Sequence, residues 1–425
     1  MNAIYKSRFG KLLSVLTLIL CVTQTGIEKV QAERGLTNHF VSPTGSGTTC
    51  TQAAPCTFTT AFSNAGSNDT VYFAAGTYTS SSTEVILLNK SLNLIGGWNG
   101  NTGVVVADPK SYVSVIDGGY SRRCMVVTGA SLVARVMGFT FINGYDVFIG
   151  AGISLESGSV TFINNLIKEN HAGSAGGGMF ITSAQNVTIM KNTFDNNSAY
   201  NSAGAIHGGF ETNLTVMDNL FFENHAMSGS AIHVDRGTIN LYRNFFDHNL
   251  GGATVDLYGS SLAFEFINNI VANSMDSEEI NAAIGLNVYE NNLLTIYVYH
   301  NTFSNLSTGI TCSWGQPTLV VSNNIFSFSD TSISCTSPFL SGSNNLFYSN
   351  MSDLSPLAAP VLGDPQFKDP ENGDFHISST SAALDAGANL AVDTDFEGHH
   401  RPTGLGYDIG ADERCFPAYM PILFK

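Results

Sequence analysis

Apolar and polar positions alternate along this chain in short runs, and the runs recur. Val187 and Ile189, Leu214 and Val216, Ile239 and Leu241, and Phe264 and Phe266 are apolar pairs two residues apart. Each pair is followed by an asparagine: Asn192, Asn219, Asn244 or Asn269. A period of two predicts a strand with one buried face. Two residues beyond each asparagine stands another apolar side chain, as at Ile167, Phe194, Phe221, Phe246, Val271, Phe303, Phe326 and Phe347. The inward positions on either side of the asparagine differ in parity, so the chain must bend there, and asparagine tolerates left-handed backbone. A further strand is expected at Ile153 and Leu155, Met179 and Ile181, Ile206, Ile232 and Val234, and Val255 and Leu257, each preceded by small residues that permit a tight turn. No stretch carries an amphipathic helical period.

The asparagine returns at Asn165, Asn192, Asn219, Asn244, Asn269, Asn301, Asn324 and Asn345, in steps of 27, 27, 25, 25, 32, 23 and 21 residues. Repeats of this length built from β-prone runs predict a solenoid whose units bury their apolar faces on one another. Parallel coils ~4.8 Å apart would bring equivalent residues into contact. That arrangement gives a phenylalanine column inside and an asparagine column whose amides bond up and down the stack, since buried amides need such partners. A β-sandwich would instead show hairpin turns every ~8–12 residues. The expected fold is all-β: a right-handed parallel β-helix over residues 33–350 with a loop-rich C-terminal cap.

Charge and cysteines sharpen this picture. Residues 1–32 read as a signal peptide, with Lys6, Arg8 and Lys11 ahead of the apolar run Leu12–Val22 and a cleavage site ending at Ala32. A secreted protein is therefore expected. No later apolar run reaches ~18 residues, so the mature chain is expected to have no transmembrane helix. Without the signal, 14 basic residues face 33 acidic ones, a net charge of −19 against −16 for the whole chain. That balance argues against nucleic acid and anionic lipid as partners. The remaining six cysteines suit disulfides in an exported chain. Cys50 and Cys56 flank a short loop, Cys312 and Cys335 lie one repeat apart and can pair across coils, and Cys124 with Cys415 remains by elimination.

Phe194 and Asn197, with the following Gly204, Ala205 and Ile206, resemble the Phe-x-x-Asn and Gly-Gly-Ala-Ile repeats of bacterial polymorphic outer-membrane proteins, which are β-helical surface adhesins. The opening, from Phe40 to Gly45 and from Asp69 to Tyr78, resembles secreted bacterial β-helices of the pectin-lyase-like class. Residues 351–414 resemble the choice-of-anchor Q family through Asp364 to Phe367, Ala383 to Gly387, Asp395, Gly398, Arg401, Pro402, Asp408 to Ala411, and Glu413. The resemblance implies a β-helix joined to a surface-attachment segment, here ending in the short apolar tail 415–425. That tail has no Leu-Pro-x-Thr-Gly signal and no membrane helix, so the attachment chemistry stays open.

Four features offer chemistry. Ser154, Phe180, His207, His233 and Asp256 fall in one outward column. His207, His233 and Asp256 are either acid/base or metal-ligating groups, or surface residues that repeat with the motif. An apolar stripe of Ile163, Met190, Met217, Tyr242, Ile267 and Tyr299 is either a platform, on which Tyr242 and Tyr299 would hold a glycan or protein, with Phe180 of the outward column a further binding candidate, or a strip covered by a loop or the C-terminal segment or turned inward by the corner. Lys191, Asp218 and Arg243 on consecutive repeats suggest a surface ion ladder. Asp393, Asp395 and Glu397 are spaced like calcium ligands, or simply form a solvated turn; no other cofactor is expected. A polysaccharide lyase would want clustered carboxylates and an Arg or Lys base; Asp235, Arg236 and Asp256 come nearest and are sparse. The expected role is a cell-surface structural or binding module, adhesin-like, for extracellular polysaccharide or a surface glycan or protein. The alternative is a carbohydrate-active enzyme, either a polysaccharide lyase or a glycoside hydrolase.

Overall fold

Three parallel sheets, running side by side along one axis, carry almost all the regular structure in this computed structural model. Two have twelve strands and one has ten. Residues 35–415 are described, apart from 185, 211, 259–262, 275–282, 291–294, 316, 336–338 and 353–356. Residues 1–32, expected to be a signal peptide, and the tail beyond 415 lie outside them. One coil illustrates the rest: Ser159–Ile163 belongs to the first sheet, Leu166–Lys168 to the second and Met179–Ile181 to the third, after which Asn186–Met190 returns to the first. The register between Asn165 and Asn345 follows the predicted repeat, as with Phe162 beside Ile189 and Phe194 beside Phe221. Parallel pairing continues one strand past residue 350, to Val361–Leu362.

The predicted inward positions are inside. Val187, Ile189, Phe194, Leu214, Val216, Phe221, Ile239, Leu241 and Phe246 are all buried. Phe194, Phe221 and Phe246 stack with ring centroids 5.0 and 4.7 Å apart, and Phe303, Phe326 and Phe347 continue at 5.2 and 5.6 Å. Val271 interrupts that column, and Phe266 of the first sheet fills the gap, 6.5 Å from Phe246 and 6.0 Å from Phe303. The asparagine ladder forms as expected: the amide of Asn192 donates to Asn219 Oδ1 at 3.1 Å and to Phe162 O at 3.0 Å, and the pattern repeats to Asn345. A second ladder joins Asn170, Asn197, Asn224 and Asn249 at the next corner.

The bend itself lies one residue earlier than expected. The ladder asparagines do not take the left-handed conformation; the residues just before them do. Asn164, Lys191, Asp218, Arg243, Asn268, His300, Asn323 and Asn344 all have φ between 53 and 58°. Left-handed backbone costs a non-glycine residue roughly 1–2 kcal/mol. The buried amide that follows offsets this by satisfying backbone groups of the adjacent coil, so the strained position accepts Lys, Asp, Arg or His.

Local chemistry completes the ends. A seven-residue helix, Phe58–Asn64, was hidden by its brevity; Thr57 caps it, and Phe58 and Phe62 pack on the core. Cys50–Cys56 and Cys312–Cys335 are disulfides with Cα atoms 4.7 and 4.8 Å apart. The remaining pairing does not form. Cys124 is buried against Ile142 O, burial pushes its thiol up to about 12, and Cys415 is exposed and free. Residues 364–415 form a cap whose Phe375, Ile377, Ala383, Ile409 and Ala411 pack on Ile270, Ile325 and Leu346 of the second sheet. Among the described residues no helix is long and apolar enough to cross a membrane.

Candidate functional site

The outward column of the third sheet assembles in the predicted register: Ser154, Phe180, His207, His233 and Asp256 lie on successive coils. Its histidines are not on the surface, however. His207 is 6% exposed and His233 8%. The loops rich in small residues ahead of each strand fold back over the column. A Cβ added to Gly229 would sit 2.7 Å from the Cβ of His233, and one on Gly176 would sit 2.9 Å from that of Phe180. Glycine there lets the backbone cover rings that point away from the core. Phe180 and His207 stack at 4.5 Å, and His207 and His233 at 5.1 Å.

The buried column is a closed polar network. Asp235 bridges His207 Nε2 at 3.1 Å and His233 Nε2 at 3.3 Å, and Asp256 Oδ2 lies 3.1 Å from His233 Nδ1. Ser228 donates to Asp256, and Asn287 donates to its other oxygen at 2.7 Å. Burial alone would depress His233, but hydrogen bonds to Asp235 and Asp256 outweigh it and raise the group to about 9. His207 shares the same carboxylate yet moves the other way, because burial dominates and the His233 charge opposes a second proton. At neutral pH His233 is therefore an imidazolium between two carboxylates. His207 is neutral, with Nε2–H donating to Asp235 and Nδ1 accepting from the Ser202 hydroxyl at 3.2 Å.

Ser202, His207 and Asp235 share the connectivity of a nucleophilic triad. Acyl transfer also needs free donors for the oxyanion. The nearby backbone N–H groups of Ser202, Ala203 and Gly204 are all spent on Ser174, Ser228 and Ser230 carbonyls. The network therefore lacks the oxyanion donors that acyl transfer would need there.

The stripe two residues before the ladder also forms in register across the first sheet. Its side chains are half-buried rather than bare. The Tyr242 hydroxyl donates to Glu265, and burial followed by that carboxylate raises its pKa. Tyr299 leans on the more exposed Tyr297 with centroids 5.4 Å apart.

The left-handed corner holds a feature the sequence did not reveal. The cap segment runs back along it: Asn344 Nδ2 donates to Ala386 O at 3.0 Å, Asn323 exchanges bonds of 2.7 and 2.9 Å with Ala388, and Asn268 Nδ2 donates to Thr394 O at 2.6 Å. On the next coils the corner residues become Arg243, Asp218 and Lys191. There the segment departs and a cleft of about 680 Å³ opens. Lys191, Asp218, Leu220, Arg243 and Phe245 line its solenoid side, and Thr394, Phe396, Glu397 and Gly398 line the cap side. Arg243 grips Asp218 through two bonds of 2.7 and 3.1 Å, the expected ion pair between coils.

The predicted calcium trio is not assembled. Two groups among the described residues bring three or more ligand-type side chains together: His376, Glu397 and Asp412, and Asp395, Glu397 and His399. Asp393 is exposed and belongs to neither, because its carbonyl, not its carboxylate, faces the loop and accepts from Arg401 N at 2.9 Å. The choice-of-anchor-like residues hold the cap itself. Arg401 is buried, 3.0 Å from Glu413 and bonded to Asp408, Gly410 and Ala411 carbonyls and to Asn268. Asp408 bonds the backbone N–H groups of Asp385 and Arg414.

A family model described as a right handed beta helix region matches residues 126–293. Among solved structures, pectate lyase Pel9A is similar to this chain with a TM-score of 0.61 and 15% identity, over 89% of this chain and 98% of that one. XylC in complex with xylose is similar with a TM-score of 0.53 and 10% identity, over 89% and 99%. At these identities the likeness is one of fold. No curated protein matches the sequence.

Proposed function

We propose that this chain is an exported, surface-displayed β-helix that binds an extracellular polysaccharide in the cleft between its left-handed corner and its cap. The cleft carries the reading. It is open, it sets the rings of Phe245 and Phe396 beside the charge of Lys191 and the Arg243–Asp218 ion pair, and it runs along a surface with translational repeat. Aromatic faces suit the apolar faces of sugars, and cations suit uronate carboxylates. The similar structures add support, since one is named a pectate lyase and the other holds xylose. The signal-like residues 1–32 and the choice-of-anchor resemblance support export and surface attachment.

Binding is preferred to cleavage because the carboxylates in the cleft are not arranged as a catalytic set. Asp218 is committed to Arg243, and Glu397 stands on the opposite wall. The enzyme reading keeps one specific observation: a lysine and an arginine beside carboxylates is the composition a lyase base and its partners would need.

A glycan array run alongside an assay for new unsaturated or reducing ends separates the two. The expected result is retention of acidic glycans without new ends. Lys191→Ala, at an exposed side chain, should weaken retention about tenfold while leaving the melting temperature near that of the parent. Appearance of unsaturated ends would establish the lyase alternative, and retention unchanged in that variant would remove the cleft from the argument.

A further inference from the structure

The cap brings together side chains that neither the sequence spacing nor the cleft reading uses. His376, Glu397 and Asp412 come from three separate segments, and one ligand atom from each lies within 4.8 Å of the others. His376 Nε2 is 2.8 Å from Glu397 Oε1. Its Nδ1 is held 2.5 Å from Asp374 Oδ1, so a carboxylate fixes the ring and leaves Nε2 facing the other two groups. That is the outer-shell arrangement by which metal-binding histidines are oriented. Asp412 is buried, with one oxygen taken by Ile377 N–H at 2.8 Å and the other left for a ligand. The same three side chains also line a small, partly open cavity of about 50 Å³, flanked by Phe245, Ile270, Phe375 and Phe396. A void at the meeting point of three ligands has room for an ion and a bound water.

We infer that His376, Glu397 and Asp412 form a site for one divalent transition-metal ion, with zinc as the first choice. One imidazole and two carboxylates suit zinc, manganese or iron, whereas calcium wants six to eight oxygens. Asp412 can offer only one. A tetrahedral zinc with bonds of ~2.0–2.1 Å holds its ligands about 3.3 Å apart. The three ligand atoms, all within 4.8 Å of one another, need only small side-chain adjustments to reach that spacing, and Glu397, the exposed member, is free to make them. Three protein ligands leave a fourth position for water. Glu397 also lines the cleft, so that position would lie next to it. The second group is the poorer candidate. Asp395 accepts from His399 N at 2.7 Å and Glu413 N at 3.2 Å, so both its oxygens already hold the loop.

This site stands whether or not the cleft binds a glycan. The test uses the untagged full chain, stripped with chelator and titrated separately with zinc, cobalt and calcium salts by calorimetry. Metal content and the visible spectrum of the cobalt form provide independent readouts. One zinc or cobalt per chain is expected, with calcium failing to compete. Glu397→Gln should weaken binding at least tenfold without altering the fold, because Glu397 is exposed. Asp374→Asn should weaken it about 10–100-fold through loss of ring orientation, and His399→Ala should leave it unchanged. No stoichiometric ion in the parent, calcium bound in preference to zinc, full affinity in Glu397→Gln, or loss in His399→Ala would each overturn the assignment.

Discussion

Each ladder position holds one side chain that serves two coils. Asn219 accepts from Asn192 N–H and from the Asn192 side-chain amide, and donates onward to Asn244. Replacing it with alanine leaves the buried Asn192 N–H without its acceptor and takes the side-chain donor away from the Ile189 and Met217 carbonyls, and each such group costs ~1–3 kcal/mol. Asn219→Ala should therefore lose more than ~2 kcal/mol in urea unfolding, while Asn213→Ala, at an exposed amide, should be near neutral. Phe221 sits between Phe194 and Phe246 with no room for collapse, and Phe221→Ala should cost ~3–5 kcal/mol. A loss below ~1 kcal/mol would contradict its central place in the stack.

At the scale of the element, the third sheet's polar column makes stability depend on pH. The folded-state pKa of His233, about 9, lies above its ordinary ~6.5. The proton it gains on folding therefore adds stability that is fully present below ~6.5 and is lost as pH rises through about 9. His207 has the opposite sign: its depressed pKa withdraws stability as pH falls below ~6.5. Thermal unfolding across this range should show a maximum near neutrality. His233→Asn should abolish the alkaline loss and leave the His207 limb on the acid side. An unchanged alkaline slope in that variant would mean the imidazolium is not where the two carboxylates place it.

At the scale of the molecule, the cap is a second layer laid on the solenoid, and Arg401 is its fastener. Its guanidinium ties Glu413 and four backbone carbonyls of the cap to Asn268 on the corner. Removing one partner of a buried pair strands the other charge, at a cost of ~3–5 kcal/mol. Arg401→Ala should let protease cut within residues 364–415 while the coils stay protected, and should abolish the cleft. Simultaneous loss of coils and cap would show that the two fold as one unit.

The coil, its core and its first ladder were legible from the chain because they are local and repeated. A period of two, an asparagine every ~25 residues and one bend per repeat state the same geometry many times over, so single departures such as Val271 do not obscure it. The pairing of Cys312 with Cys335 was readable for the same reason: one repeat in sequence is one coil in space. What the tertiary structure decided were contacts between distant or non-repeating segments. Alternation shows that His207 and His233 point away from the core, but not that loops with glycine at Gly176 and Gly229 fold back to bury them. The run of Asn268, Asn323 and Asn344 against Arg243, Asp218 and Lys191 became meaningful only once the cap was seen to follow the first three and leave the others. His376, Glu397 and Asp412 share no spacing at all; they meet because the cap closes on itself, and local periodicity carries no information about such closure.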